Sequence, residues 1–253
     1  MGRRATLKGG GGSTTWPGTS SQLVAGDGSV VAVGSGLSLS GAMLAGPAHA
    51  WFASAQASLV AKLGLAAGTF ALATDDHFTL AGNLGWSGLS LTTTATGGIV
   101  TVPQSPSTNA ATAIVMSKTS TSYGFGFRAQ VNPTTSGDET YLGVSSSTLS
   151  QYVIAVLGNL SGTKYIRAQL NDGTGSLATG NSTVAPDANY HTILVAFKYS
   201  AGASVLSVSV DGEAWINSAS TSKNPPGQAG YLLRNSTGTS VASLDKSLYI
   251  SSF

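Results

Sequence analysis

The chain has 253 residues, a formal net charge of +2 and no cysteine. That length suits one large β domain with a smaller appendage, and the missing thiols exclude a disulfide scaffold, a thiolate zinc site and a cysteine nucleophile. Twelve basic side chains against ten acidic ones cannot make a broad phosphate-binding face, so nucleic acid is not an expected partner. Glycine, serine and threonine together make up about 39% of the chain, yet 42% of residues are hydrophobic, enough for a packed core rather than a disordered polymer.

Residues 1–20 read as an assembly arm. Arg3, Arg4 and Lys8 are followed by the run Gly9, Gly10, Gly11, Gly12 and then by Trp16. With no hydrophobic period the segment is expected to be flexible in isolation. Against a neighbouring subunit, Arg3 and Arg4 can pair with carboxylates and Trp16 can fill a pocket. Glycines stand where a secretory signal needs an apolar stretch, so no such signal is expected.

Residues 21–72 read as a small N-terminal region. A short strand is predicted over 29–33, after the turn Gly26, Asp27, Gly28. A helix is predicted within 47–65, with Trp51, Ala55, Leu59 and Leu63 at spacing four, Pro47 in its first turn and Gly64 as its stop. His49, Gln56, Lys62 and several glycines interrupt the apolar stretch 41–73, so no membrane insertion is expected.

Residues 73–253 read as a β-sandwich. The segment 123–131 has apolar residues at its odd positions and Gly124, Gly126, Arg128 and Gln130 between them, a period of two. Segments 152–157 and 193–197 are nearly continuous apolar runs, as expected of strands covered on both faces. Segment 164–170 alternates and stops at Asn171, Asp172, Gly173; segment 205–210 alternates and stops at Asp211, Gly212. About ten such strands with turn chemistry between them predict an all-β sandwich or jelly roll. Phe125, Phe127, Ile193, Val195, Phe197, Val208 and Val210 are expected in its core.

Two segments carry a family resemblance. The first runs through Asp187, Tyr190, His191 and Ile193 to Val208, Val210, Asp211 and Gly212. An aromatic–His pair opens one strand and a second strand ends in Val-Asp-Gly; this resembles the laminin-G-like, concanavalin-A-like lectin fold, with Tyr190 where tryptophan is usual. The second, through Asp75, Asp76, His77, Phe78, Leu84, Gly85 and Trp86, resembles the opening of such domains on bacteriophage tail proteins. The closing segment 247–253 suits the strand that pairs back with this opening. The resemblance spans about 74–253. It implies a concanavalin-A-like jelly roll and a bacteriophage virion structural role, as a minor tail, tail-fibre or capsid decoration component released by lysis. Its implied partners are other virion proteins, further copies of itself and a host surface glycan. The alternative is a free carbohydrate-binding module or a bacterial surface adhesin. Trp215, Tyr231 and Tyr123 are the aromatic candidates for glycan contact.

Chemistry is sparse in this sequence. Carboxylates cluster only at Asp75/Asp76, Asp138/Glu139 and Asp211/Glu213. The Asp138/Glu139 pair is expected at a loop tip, neighbouring strand residues face opposite ways, and Asp211/Glu213 straddles a turn. The paired carboxylates of a glycosidase are therefore not expected, nor is any other catalytic residue, and the chain reads as a non-enzyme. His49, His77 and His191 lack metal-ligand spacing, and His191, at a strand start, reads as structural. Asp75, Asp76 and Asp172 are candidate calcium ligands on sandwich loops; no other cofactor is expected.

Overall fold

The computed structural model describes residues 8–9, 12–13, 22–24, 30–32, 47–76, 90–94, 97–102, 122–145, 151–200, 202–223, 230–237 and 242–252. The chain divides into two compact units, Met1–Trp51 and Phe52–Phe253. In the first, strand β1 (Lys8–Gly9) pairs with β2 (Gly12–Ser13), and β3 (Gln22–Val24) with β4 (Val30–Ala32), both antiparallel. Helix α1 (Pro47–Leu63) runs from the first unit into the second.

The second unit is a sandwich of two antiparallel sheets. Its strands are β5 (Phe70–Asp76), β6 (Ser90–Thr94), β7 (Gly97–Val102), β8 (Tyr123–Val131), β9 (Glu139–Ser145), β10 (Tyr152–Leu160), β11 (Thr163–Asn171), β12 (Ser176–Ala178), β13 (His191–Lys198), β14 (Val205–Val210), β15 (Ile216–Asn217), β16 (Gly230–Thr237) and β17 (Ala242–Ser252). The large sheet runs β15-β14-β13-β8-β17-β7-β6, and β5 joins it beside β17; the small sheet runs β12-β11-β10-β9-β16. The jelly-roll sandwich read from the sequence is the observed architecture. The closing strand does pair back with the opening one, Ser247 opposite Asp75 and Tyr249 opposite Ala73.

Alternation decides which side chains meet between the sheets. From the large sheet come Phe125, Phe127, Ile193, Val195, Phe197, Val208 and Val210, all at 0% exposure as expected. Leu142, Val153, Ala155, Leu157, Ile166 and Leu170 oppose them from the small sheet. The rings of Phe125 and Phe127 meet edge-on at 5.8 Å, a preferred aromatic geometry.

The outer face of the large sheet is also apolar at its middle, with Leu194, Ala196, Leu248 and Ile250 buried. Helix α1 turns Phe52, Ala55, Leu59 and Leu63 inward, while Trp51 is half-buried. A methyl group on Gly124 would lie 2.7 Å from Leu59 Cδ2, so the helix rests directly on the backbone of β8. Lys62 fastens the end of the helix: its Nζ donates to Asn217 Oδ1 at 2.6 Å and lies 5.5 Å from the centroid of the Trp215 ring.

The His191 motif is a clasp. Asp211 (φ 49°) and Gly212 (φ 81°) form the tight turn after β14, closed by Glu213 N–H donating to Val210 O at 2.9 Å, the positive-φ pair of a type I′ turn. His191 Nδ1 meets Asp211 Oδ2 at 2.6 Å, and its Nε2 meets Asp187 Oδ1 at 3.0 Å. The imidazole therefore ties the approach to β13 to the β14 turn. Tyr190 packs its ring 4.6 Å from the Arg128 guanidinium, and Arg128 pairs with Asp245, the bulged residue of β17.

Two outcomes follow from this packing. Phe127→Ala should lower the unfolding free energy by about 3–5 kcal/mol, the usual range for a buried phenylalanine, measured by denaturant titration; a loss near zero would contradict the assigned facing. The clasp should be pH-dependent. Burial opposes the charged imidazole, but the bonds from Asp211 and Asp187 outweigh it and hold His191 above its ordinary 6.5. Its contribution is thus full below 6.5 and lost as pH rises through the raised folded value. The Asn189 N–H and then His191 hold the Asp187 carboxyl below its ordinary 3.8, so its contribution is present above 3.8 and lost as pH falls through the lowered value. The melting-temperature gap between wild type and His191→Gln should therefore be widest between those two ordinary values and narrow on either side. A gap independent of pH would show that charge is not its basis.

Candidate functional site

The outer face of the small sheet carries a polar aromatic cluster. On β9, β10 and β11 the residues that alternate with the core ones are Glu139 and Tyr141; Tyr152, Ile154, Val156 and Gly158; and Tyr165, Arg167 and Gln169. Ile154, Val156 and Tyr165 form a second buried apolar patch, with the half-buried rings of Tyr141 and Tyr152 packed against it.

Register brings these side chains together. Gly158 stands between Glu139 on one neighbouring strand and Tyr165 on the other. Because position 158 has no side chain, Tyr165 can cross over it: a methyl group there would lie 2.6 Å from the Tyr165 hydroxyl oxygen. The Tyr165 hydroxyl donates to Glu139 Oε1 at 2.5 Å, and the Tyr141 hydroxyl donates to Glu139 Oε2. Both carboxylate oxygens are held by phenols from different strands. Burial first, and then the bond to Glu139, push the Tyr165 phenol well above its ordinary value, which keeps it a donor. The next row holds Tyr141, Val156 and Arg167, whose guanidinium lies 5.0 Å from the centroid of the Tyr165 ring. Beyond it, Gln169 Nε2 donates to the Tyr152 hydroxyl at 3.1 Å. Aromatic faces with a few fixed polar groups are the chemistry of a site for polar organic ligands.

The structure places the sequence candidates elsewhere. The Asp138/Glu139 pair is not a loop tip as a unit. Asp138 is 1% exposed and closes the preceding turn, accepting from Thr134 N at 3.2 Å and Thr135 N at 2.9 Å, while Glu139 opens β9 on the outer face. Tyr123 is corrected as a glycan contact. It is 2% exposed, its ring set between those of Phe197 and Tyr249, where no ligand outside the sandwich reaches it. Trp215 is half-buried with Lys62 over its ring. Tyr231 pairs with Val144 in β16, and its side chain lies outside the described residues.

Asp172 is occupied within its own turn, its Oδ1 accepting from Thr174 N, Thr174 Oγ1, Gly175 N and Lys223 Nζ. Burial opposes its charge, but the Thr174 and Lys223 bonds outweigh that and bring its carboxyl down to about 2. Asp75 and Asp76 lie on β5 opposite Ser247 and Lys246, with side chains outside the described residues. Among the described residues no three His, Asp or Glu side chains gather into a metal-holding group. Arg3, Arg4 and Trp16, and the segment 77–89 with its aromatic motif, also lie outside the described residues, and Lys8 is described only as part of β1.

No protein-family model and no curated protein sequence matches the chain. Among solved structures the fold is similar to that of peanut lectin bound to a nine-residue peptide, at 11% identity and a TM-score of 0.51, covering 72% of this chain and 97% of the lectin. It is also similar to the Crh5 transglycosylase in complex with NAG, at 14% identity and a TM-score of 0.45, covering 72% of this chain and 84% of that one. The glycoside hydrolase family 43 protein BlXynB from Bacillus licheniformis (a K247S mutant) matches at 13% identity and a TM-score of 0.43, covering 62% of this chain; the chain spans about a third of that protein's length, 33%. At these identities the likeness is one of fold. The expectation of a non-enzyme is corrected: the solved structures matched include named enzymes as well as a lectin, so the chain is not assigned to either class on this likeness. Residue spacing along the chain shows only which groups share a strand face, as Glu139 and Tyr141 do on β9, whereas Tyr165 joins them from β11 across the strand between. What the comparisons establish is a lectin-like jelly roll.

Proposed function

We propose that this chain binds glycans, and that the outer face of the small sheet is where the sugar sits. One observation carries the reading: the half-buried rings of Tyr141 and Tyr152 lie over an apolar patch, with Glu139 and Gln169 beside them held in hydrogen bonds. Sugars present apolar C–H faces together with hydroxyl rims, which suits aromatic rings flanked by oriented acceptors and donors. The lectin-like fold supports the reading, since it leaves this sheet face to side chains of β9, β10 and β11.

We further infer that the setting is a bacteriophage virion, with the chain serving as a minor tail, tail-fibre or capsid decoration component. The support lies in the sequence: the tail-protein-like opening around Asp75 and Trp86, the low charge content, and the glycine-rich arm with Arg3, Arg4 and Trp16. Deletion of residues 2–15 tests the setting. The sandwich should fold normally while incorporation into particles is lost; unchanged incorporation would refute an anchoring arm.

Glycan binding is tested with the full chain on an oligosaccharide array. Tyr141→Ala should weaken binding to the preferred glycan by roughly tenfold, about 1.4 kcal/mol, with the fold retained by circular dichroism. Gly158→Ala should displace Tyr165 from Glu139, reduce binding in the same assay and cost about 1–3 kcal/mol of stability through overpacking. Full binding by both variants would remove this face from consideration.

A further inference from the structure

On the small-sheet face read as a glycan site, one guanidinium N–H has no acceptor among the described residues. Arg167 projects from the middle of β11 with Val156 opposite on β10, and Tyr141 beyond it on β9. Its guanidinium lies against the Tyr165 ring at 5.0 Å. Its Nε is buried and makes no hydrogen bond, and among the described residues the guanidinium meets no carboxylate. The acid nearest in the pattern, Glu139, has its oxygens bound by Tyr141 and Tyr165 instead.

Arg167 as a whole is half-buried, so a ligand would meet the guanidinium at its outer N–H edge and not at the enclosed Nε. Stacking on an aromatic ring uses the flat face of the group and leaves its N–H edge for an acceptor. That edge has the geometry of a two-point bond to a carboxylate, in which two parallel N–H donors meet two oxygens. A neutral sugar offers single uncharged hydroxyl acceptors, whereas a sugar acid offers two charged oxygens at the spacing of the fork. Around Arg167 the face supplies what the rest of a sugar ring would use: the Tyr141 and Tyr152 rings and the Gln169 amide.

We propose that the glycan bound on this face is acidic, carrying a carboxylate on the sugar itself, and that Arg167 is the residue that receives it. The inference rests on the glycan-binding reading and adds the chemical class of the ligand.

The test uses the full chain and a panel of uronate, sialylated, sulfated and neutral oligosaccharides, together with polygalacturonate and its methyl ester. The expected result is binding to carboxylated sugars, at least tenfold tighter than to the matched neutral or esterified form. Arg167→Gln should lose roughly 10–100-fold in affinity for the carboxylated ligand with an unchanged melting temperature. Arg167→Lys, which keeps the charge but not the fork, should fall between the two. The ester comparison on the wild-type chain stands even if a variant fails to fold. Equal affinity for acid and ester, binding confined to neutral or sulfated sugars, or full affinity in Arg167→Gln would overturn this inference and leave glycan binding standing. Binding to no sugar on the panel would overturn both.

Discussion

The sandwich depends on the pairing of one strand. β17 lies against β8 along most of its length, and its other edge is divided between β7, opposite Ala242–Leu244, and β5, opposite Lys246–Ser252. β6 reaches the sheet only through β7. Everything in the large sheet that precedes β8 in sequence is therefore attached through β17. The pairing is also highly non-local, since the ion pair of Arg128 with Asp245 spans 117 positions. Contacts of that separation cost loop entropy before they return any stabilisation, and topologies built on them fold slowly. The large sheet becomes continuous only when β17 is in place.

The second constraint is absence of mass at a chosen point. A tyrosine side chain on β11 cannot reach a carboxylate on β9 if the strand between them raises a side chain into its path. Gly158 removes that obstacle, and the consequence is that the Tyr165 hydroxyl reaches the Glu139 carboxylate, which the Tyr141 hydroxyl meets from its own strand. The arrangement costs β-propensity at position 158, because glycine in a strand interior packs nothing. In return, the aromatic and charged groups of the face are set by register rather than by loop conformation. Side chains on paired strands are held more closely than those on loops, which favours a site that recognises shape.

How much of this was legible in the sequence follows from the range of each signal. Strand β8 was readable to the residue, Tyr123–Val131, because its alternation is local and unbroken. The helix was readable because Pro47 and Gly64 punctuate it, although its buried stripe begins at Phe52 rather than Trp51. The core followed from the same alternation. The small-sheet face did not. The same-face spacing of Tyr165, Arg167 and Gln169 is visible in the chain, as is that of Glu139 and Tyr141, but no local pattern says that β9 and β11 flank β10. The signal that could have joined them is Gly158, a lone glycine inside an apolar strand, which often marks close approach by another group. Tyr123 was misread for the converse reason. A tyrosine at the start of a strand is as compatible with an exposed rim as with a core, and only its packing against Phe197 and Tyr249 decides between them.

The ends of the two sheets have a bearing on how such domains coexist at high density. One edge of the small sheet is β12, three residues long, and one edge of the large sheet is β15, two residues long, while the opposite edges, β16 and β6, have eight and five residues. An unpaired strand edge is a template on which a strand from another molecule can add, the first step toward fibrous aggregation. At these two rims the exposed ladder is too short to seat an incoming strand. Neighbouring copies crowded on a common surface would therefore find no seed for cross-β growth there.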